Sequence, residues 1–199
     1  MMEAGTRNIV FTPHMNPDVY PEMDEFRLRS VYQEFKQDLP EGLGSHLAAE
    51  YMVVNGFDER VEREPESLLT YPDRSILIEM SYYFRSPNLE PAVFNLGLAG
   101  LQPILAHPER YLYMVDCLHD FDKLADMGCR FQMNMMSLTG KYGKGSIKIL
   151  KYLLGKGMYD FIATDLHSIP QLDTILGSRV PFSMRRAVGK LIEKDTALL

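Results

Sequence analysis

Six short apolar runs, each suited to a buried strand and most followed by a segment of helical spacing or by turn residues, constrain this chain more than any other feature. They cover residues 8–12, 47–50, 75–78, 102–106, 129–133 and 160–164. Between the first two, residues 22–39 place Leu28, Val31, Tyr32, Phe35 and Leu39 at spacings of three and four. That spacing predicts an amphipathic helix with one apolar face, stopped by Pro40 and Gly42. Further helices are predicted over 88–100, 121–127, 146–154 and 181–196; the third ends before the breakers Gly155 and Gly157, and the fourth carries Met184, Val188, Leu191 and Ile192 on one side. The most charged stretch, 58–73, predicts a solvated helix or loop. Strand and helix alternate about six times, which predicts an α/β fold whose largely parallel sheet is covered by helices. Strands this continuously apolar suit either a closed barrel or a doubly wound sheet.

With 199 residues and 46% hydrophobic content, the chain has enough apolar material for one sizeable core, and a single domain over 1–199 is the expectation. No stretch approaches the roughly 18 apolar residues of a membrane span, and MMEAGTRNIV has neither a basic start nor an apolar signal core. A cytoplasmic protein with no direct membrane insertion is expected. Cys117 and Cys129 lack the spacing of a thiolate metal site and are expected to be reduced thiols in a packed fold. A formal charge of −6 without a sustained Lys/Arg tract argues against a nucleic-acid partner.

The chemistry is concentrated where the strands end. The runs lead into TPH (His14), AAEY (Glu50), LIEM (Glu79), LAHPER (His107) and IATDLH (Asp165, His167). Five of six terminate in His, Asp or Glu, and parallel βα architecture gathers such ends on one face. Each residue alone has an ordinary explanation as a hydrogen-bonded or solvated side chain. Five of six junctions with ionisable groups on one face are harder to explain that way, because uncompensated burial is expensive. Imidazole and carboxylate suit zinc, manganese and iron, so a hydrolytic metal centre is expected. Asp165 and His167, two residues apart, would emerge on the same side if their strand continued through them. His107 precedes Pro108 and is expected in extended backbone.

Arg110 leaves the same junction as His107, where a guanidinium can hold a phosphate by a bidentate contact; an ion pair with Glu109 or a neighbouring acidic loop is the competing explanation. The segment SLTGKYGKG, residues 137–145, lacks the order of a nucleotide-binding loop and is expected to border the site as a glycine-rich βα loop. Asn134 either orients a group in the site or caps a turn.

Taken in order, TPHM, AAEYM, ILIEM, ILAHPERY, SLTGKYG and FIATDLH resemble the PHP-superfamily metal-dependent protein-tyrosine phosphatases of bacterial capsule and exopolysaccharide synthesis. The resemblance runs from about His14 to His167. It implies a distorted (β/α)7 PHP-type barrel holding up to three divalent metal ions, manganese first, with iron or zinc as alternatives. It further implies that Glu50 bridges two metals, that Glu79 and His107 complete one of them, that Asp165 helps hold the second, and that His14 and His167 hold the third. Arg110 matches the phosphate-contacting arginine, so that Arg110, His107 and Glu50 form the catalytic set. The activity implied is metal-dependent hydrolysis of phosphotyrosine in protein, the partner being the tail of a membrane-associated tyrosine kinase. Oligomer formation is left open.

Two departures qualify the match. Members of that family open with a strand bearing a DxHxH-like motif and a nearby Asp, whereas MMEAGTRNIV looks like the end of the helix that follows it. The expectation is an N-terminally incomplete barrel, with the first strand missing and only Glu50, Glu79 and His107 a whole ligand set. After DLH, where relatives carry another phosphate-binding arginine, this chain reads SIPQLD. Two other readings follow: a PHP-type phosphatase of small phosphate esters, or a truncated binding protein without turnover.

Overall fold

The computed structural model describes residues 5–196. They form two compact units, the first from residues up to 79 together with 88–103, the second from 80–87 together with residues from 104 onward. Every strand pairing described in either unit is parallel.

In the first unit, β1 (Asn8–Phe11) pairs with β3 (Gly44–Leu47), while β2 (His14–Met15), β4 (Glu50–Met52) and β5 (Ser75–Glu79) lie side by side in that order. The run predicted over 47–50 is thus the junction of two strands. Ala48 and Ala49 carry the chain from one pairing to the other, as Thr12 and Pro13 do between β1 and β2. Pro13 has no N–H to give a ladder, but its carbonyl accepts from the Glu50 N–H at 3.0 Å and keeps the two switches in step. All five residues of β5 are buried, which is why its sequence, SILIE, is a continuous apolar run up to the carboxylate.

Helix α1 (Glu25–Phe35) begins at Asp24, whose side chain accepts from the Arg27 N–H. Its expected apolar face is only partly covered. Leu28 is buried and Phe35 meets Phe11 edge-on at 5.4 Å, yet Val31 and Phe35 remain 55% and 47% exposed. Helix α2 (Phe57–Arg63), from the charged stretch, buries Phe57 and Val61, and α3 (Leu89–Leu98) buries Leu89, Ala92, Val93 and Leu96.

Strand β6 (Gln102–Ala106) begins in the first unit and delivers Ile104, Leu105 and Ala106 to the second, where it pairs with β7 (Arg130–Asn134), which in turn pairs with β8 (Tyr159–Ala163). Helix α4 (His119–Asp126) packs Phe121 edge-on against Phe131 at 6.0 Å. Helix α5 (Gly143–Lys156) buries Ile149, Leu150, Leu153 and Leu154. Fully buried aliphatic and aromatic side chains of this kind contribute about 1.5–3 kcal/mol each. Gly155 is carried inside α5; Gly157, at φ +66°, takes the left-handed conformation that ends it. Helices α6 (Ile169–Gly177) and α7 (Arg185–Thr196) follow. Cys117 is exposed and Cys129 buried, both as free thiols. Among the described residues no helix is long and apolar enough to cross a membrane.

Candidate active site

Strand register assembles the first cluster. His14 lies opposite Glu50, Glu50 opposite Leu77, and Glu79 follows Leu77 by two residues on β5. Directly paired residues share a face, as do residues two apart on a strand, so His14, Glu50 and Glu79 project from one side of the three strands. The His14 Nδ1 lies 2.8 Å from Glu79 Oε1 and 3.3 Å from Glu50 Oε2. One ligand atom from each of the three falls within 4.8 Å of the others. The two carboxylates are buried, at 3% and 2% exposure.

Carboxylates this deep are costly to keep charged unless a cation or hydrogen bonds compensate them. Two of them converging with an imidazole form an N,O donor set that hard and borderline divalent cations take readily. The residues therefore fit the metal expected from the strand-end pattern. Within this unit His14, Glu50 and Glu79 come together directly.

The second unit gathers Arg110, Asn134 and Asp165. Arg110 Nη1 donates to Asp165 Oδ2 at 3.2 Å, and Asn134 Nδ2 donates to the same oxygen at 2.7 Å. The arginine thus turns to Asp165, while Glu109 is fully buried in bonds of its own. Asn134 also caps the turn after β7, its Oδ1 accepting from the Met136 N–H at 2.8 Å, as the turn-capping expectation has it.

Two aromatic faces enclose the guanidinium. Tyr82 lies 4.2 Å and Tyr142 4.6 Å from the Arg110 Cζ, measured to the ring centroids. Tyr142 comes from the SLTGKYG loop, and burial pushes its hydroxyl above the ordinary tyrosine range, so the ring stays neutral beside the charge. The guanidinium beside these rings carries a fork of N–H groups, the geometry that matches a phosphate.

Backbone conformation departs from expectation at two of these residues. His107 is left-handed, at φ +35°, instead of extended. The chain leaves β6 there and turns at once into the single 3-10 turn Pro108–Arg110. Proline at 108 disfavours the right-handed helical region for His107 and leaves this route into the turn. Strand β8 ends at Ala163, and Asp165 is also left-handed, at φ +47°. The alternation that would have aimed Asp165 and His167 in the same direction therefore stops short of them. Their association comes instead from the His167 ring, whose Nδ1 lies 3.0 Å from the Asp165 carbonyl oxygen and 3.6 Å from its Oδ1. Left-handed non-glycine residues cost of order 1–3 kcal/mol and cluster at functional positions. His107 itself is buried, with Tyr82 Oη 3.4 Å from its Nε2 and the Tyr111 ring edge-on to it.

Sequence reasoning missed Glu109, Tyr82 and Tyr142 as contributors. Tyr142 lies in a quoted motif but was read for its glycines. Glu109 lies in HPER, where a charge beside Arg110 suggests an exposed pair. Tyr82, in SYYF, had no spacing signal.

The described strand pairings make a parallel α/β architecture with a His–Glu–Glu donor set at its strand ends. A chain from the crystal structures of YwqE from Bacillus subtilis and CpsB from Streptococcus pneumoniae, described as unique metal-dependent tyrosine phosphatases, has the same fold. It superposes with a TM-score of 0.67 at 23% identity, covering 98% of this chain and 83% of that one. The family described as "Capsular polysaccharide synthesis, CpsB/CapC" matches residues 1–191, and the chain belongs to it. Among its relatives, the tyrosine-protein phosphatase CpsB of Streptococcus pneumoniae is 26% identical, over 96% of this chain and 77% of its own length. The tyrosine-protein phosphatase YwqE of Bacillus subtilis is 24% identical, over 98% of this chain and 82% of its own length.

Proposed function

We propose that this chain is a metal-dependent phosphatase that hydrolyses phosphotyrosine in protein, as a single PHP-type domain acting in capsule or exopolysaccharide synthesis in the cytoplasm. The observation that carries the reading is the His14–Glu50–Glu79 cluster, a buried N,O donor set assembled by strand register. The names of the relatives, tyrosine-protein phosphatases, supply the substrate class.

In this reading His14, Glu50 and Glu79 hold a divalent cation, manganese before iron or zinc, and His107, Asp165 and His167 are ligands to further cations, up to three in all. A cation bound by these residues would supply Lewis acidity for phosphate-ester hydrolysis. Arg110 binds the phosphate through its guanidinium edge, neutralising charge that develops during transfer. Asp165 orients that edge by accepting from Nη1, Asn134 fixes Asp165 by donating to the same oxygen, and Tyr82 and Tyr142 keep water from the guanidinium faces. Cys129 is outside the chemistry: burial pushes its thiol up to about 12, where it supplies no thiolate at neutral pH. The physiological substrate in this reading is the tail of a membrane-associated tyrosine kinase.

Phosphate release from a phosphotyrosine peptide, followed with manganese present and again after chelation with EDTA, tests the proposal. Turnover with manganese that chelation abolishes is the expected result. Turnover that survives chelation, or faster release from a small alkyl phosphate than from the peptide, would overturn it.

A further inference from the structure

Residues 80–87 leave β5 as a strap in the second unit that is tied down everywhere except at its tip. The Met80 N–H donates to Tyr111 Oη at 3.0 Å, and that hydroxyl donates onward to the Ala106 carbonyl at 3.0 Å. Tyr113 Oη donates to the Ser81 carbonyl at 3.0 Å. Tyr82 lies against Arg110, stacks on Tyr111 and approaches His107. At the far side, Arg85 Nη1 donates to Asp120 Oδ2, which Lys123 also pairs through Oδ1.

Between these anchors stand Tyr83 and Phe84, 90% and 64% exposed. Holding two adjacent large aromatic side chains in water on an anchored strap has no benefit to folding, since neither buries the area that would repay its ordering. Exposed aromatic area of this kind marks recognition surfaces, where flat rings provide contact at little cost in rotamer entropy. Consecutive Cα atoms are about 3.8 Å apart, so both residues stand within about 8 Å, along the chain, of the Cα of the tyrosine that covers Arg110.

We propose that Tyr83 and Phe84 form an aromatic wall that receives the phenyl ring of a phosphorylated tyrosyl side chain whose phosphate is held by Arg110. The proposal rests on the phosphotyrosine reading above and makes these two residues determinants of specificity. A phosphate contact alone does not distinguish aryl from alkyl esters, because the anionic group is the same in both. The ring does distinguish them, because an aromatic wall adds offset or edge-to-face contact that an alkyl ester lacks. Tyr82 is in this scheme a positioning residue, fixing the guanidinium while its two neighbours meet the substrate. Its fixed position also sets the distance between phosphate grip and wall.

The test compares equilibrium binding of two probes to the intact chain in the presence of manganese: a peptide carrying the non-hydrolysable analogue phosphonomethylphenylalanine, and inorganic phosphate. The variant is Tyr83→Ser with Phe84→Ser, two exposed positions whose change leaves the anchors in place. Affinity for the peptide is expected to fall at least about tenfold, while affinity for phosphate stays within about twofold. Equal loss for both probes, or no loss for the peptide, would overturn the wall. Turnover of the phosphotyrosine peptide by the unaltered chain is measured alongside. Absence of turnover with the binding difference intact would refute the phosphatase reading and leave aryl recognition standing.

Discussion

Glu109 sits between His107 and Arg110 in the chain, yet its bonds run to other partners. Its Oε1 accepts from the Asn134 N–H at 2.9 Å and the Ser137 hydroxyl at 2.6 Å, and its Oε2 accepts from the Tyr159 hydroxyl at 2.8 Å. Burial pushes the carboxyl above the ordinary range, and these donors pull it back. The effect is to fasten the HPER turn to the turn after β7, which carries Asn134, and so to hold Arg110 and Asn134 in register with Asp165. Glu109→Leu removes the acceptor for three buried donors, each worth roughly 1–3 kcal/mol when left unsatisfied, whereas Glu109→Gln keeps one acceptor oxygen and loses less. Urea unfolding should rank the chain as wild type, then Gln, then Leu; a leucine variant as stable as wild type would contradict this role. At this scale the His14–Glu50–Glu79 cluster was legible because His and Glu at the ends of apolar runs stand out. The supporting side chains were not, since a buried glutamate and an exposed one look alike in sequence until their neighbours are known.

Elements were legible where burial extended over several periods. The run predicted over 102–106 coincides with β6, and the helix predicted over 146–154 lies inside α5. Helix α2 has only two buried residues, Phe57 and Val61, one turn apart, and α6 has none, so neither offers a face for periodicity to reveal. Helix α7 is fixed to β8 from its last turn. The Asp195 side chain accepts from the Ile162 N–H at 3.4 Å, and Lys194 pairs with Asp160 at 2.8 Å. Burial raises the Asp195 carboxyl above its usual value, with the Ile162 N–H opposing. The folded chain therefore binds this proton more tightly than the unfolded chain does. Its contribution to stability is fully present below the unfolded aspartate value of about 3.9 and is lost as pH rises through the raised folded value. Urea midpoints at pH 4 and pH 7 should show wild type losing ground relative to Asp195→Asn as pH rises. An unchanged difference between the two would refute the assignment.

At the scale of the whole molecule, a formal charge of −6 over 199 residues makes a strong anion site unexpected from composition alone. The architecture resolves this locally. The first unit gathers acidic side chains where strand register brings them together, and the second sets one arginine against two aromatic rings. In the proposed reading cation and phosphate affinity come from these few placed residues, whatever the sign of the overall charge. The most direct test of the account is a calorimetric titration of manganese into the EDTA-stripped chain and into its Glu50→Gln and Glu79→Gln variants, with unfolding midpoints recorded without metal. The account predicts saturable binding that weakens at least about tenfold in each variant while both remain folded, with phosphate release from the peptide falling in parallel. Manganese affinity and phosphate release unchanged in both folded variants would contradict it.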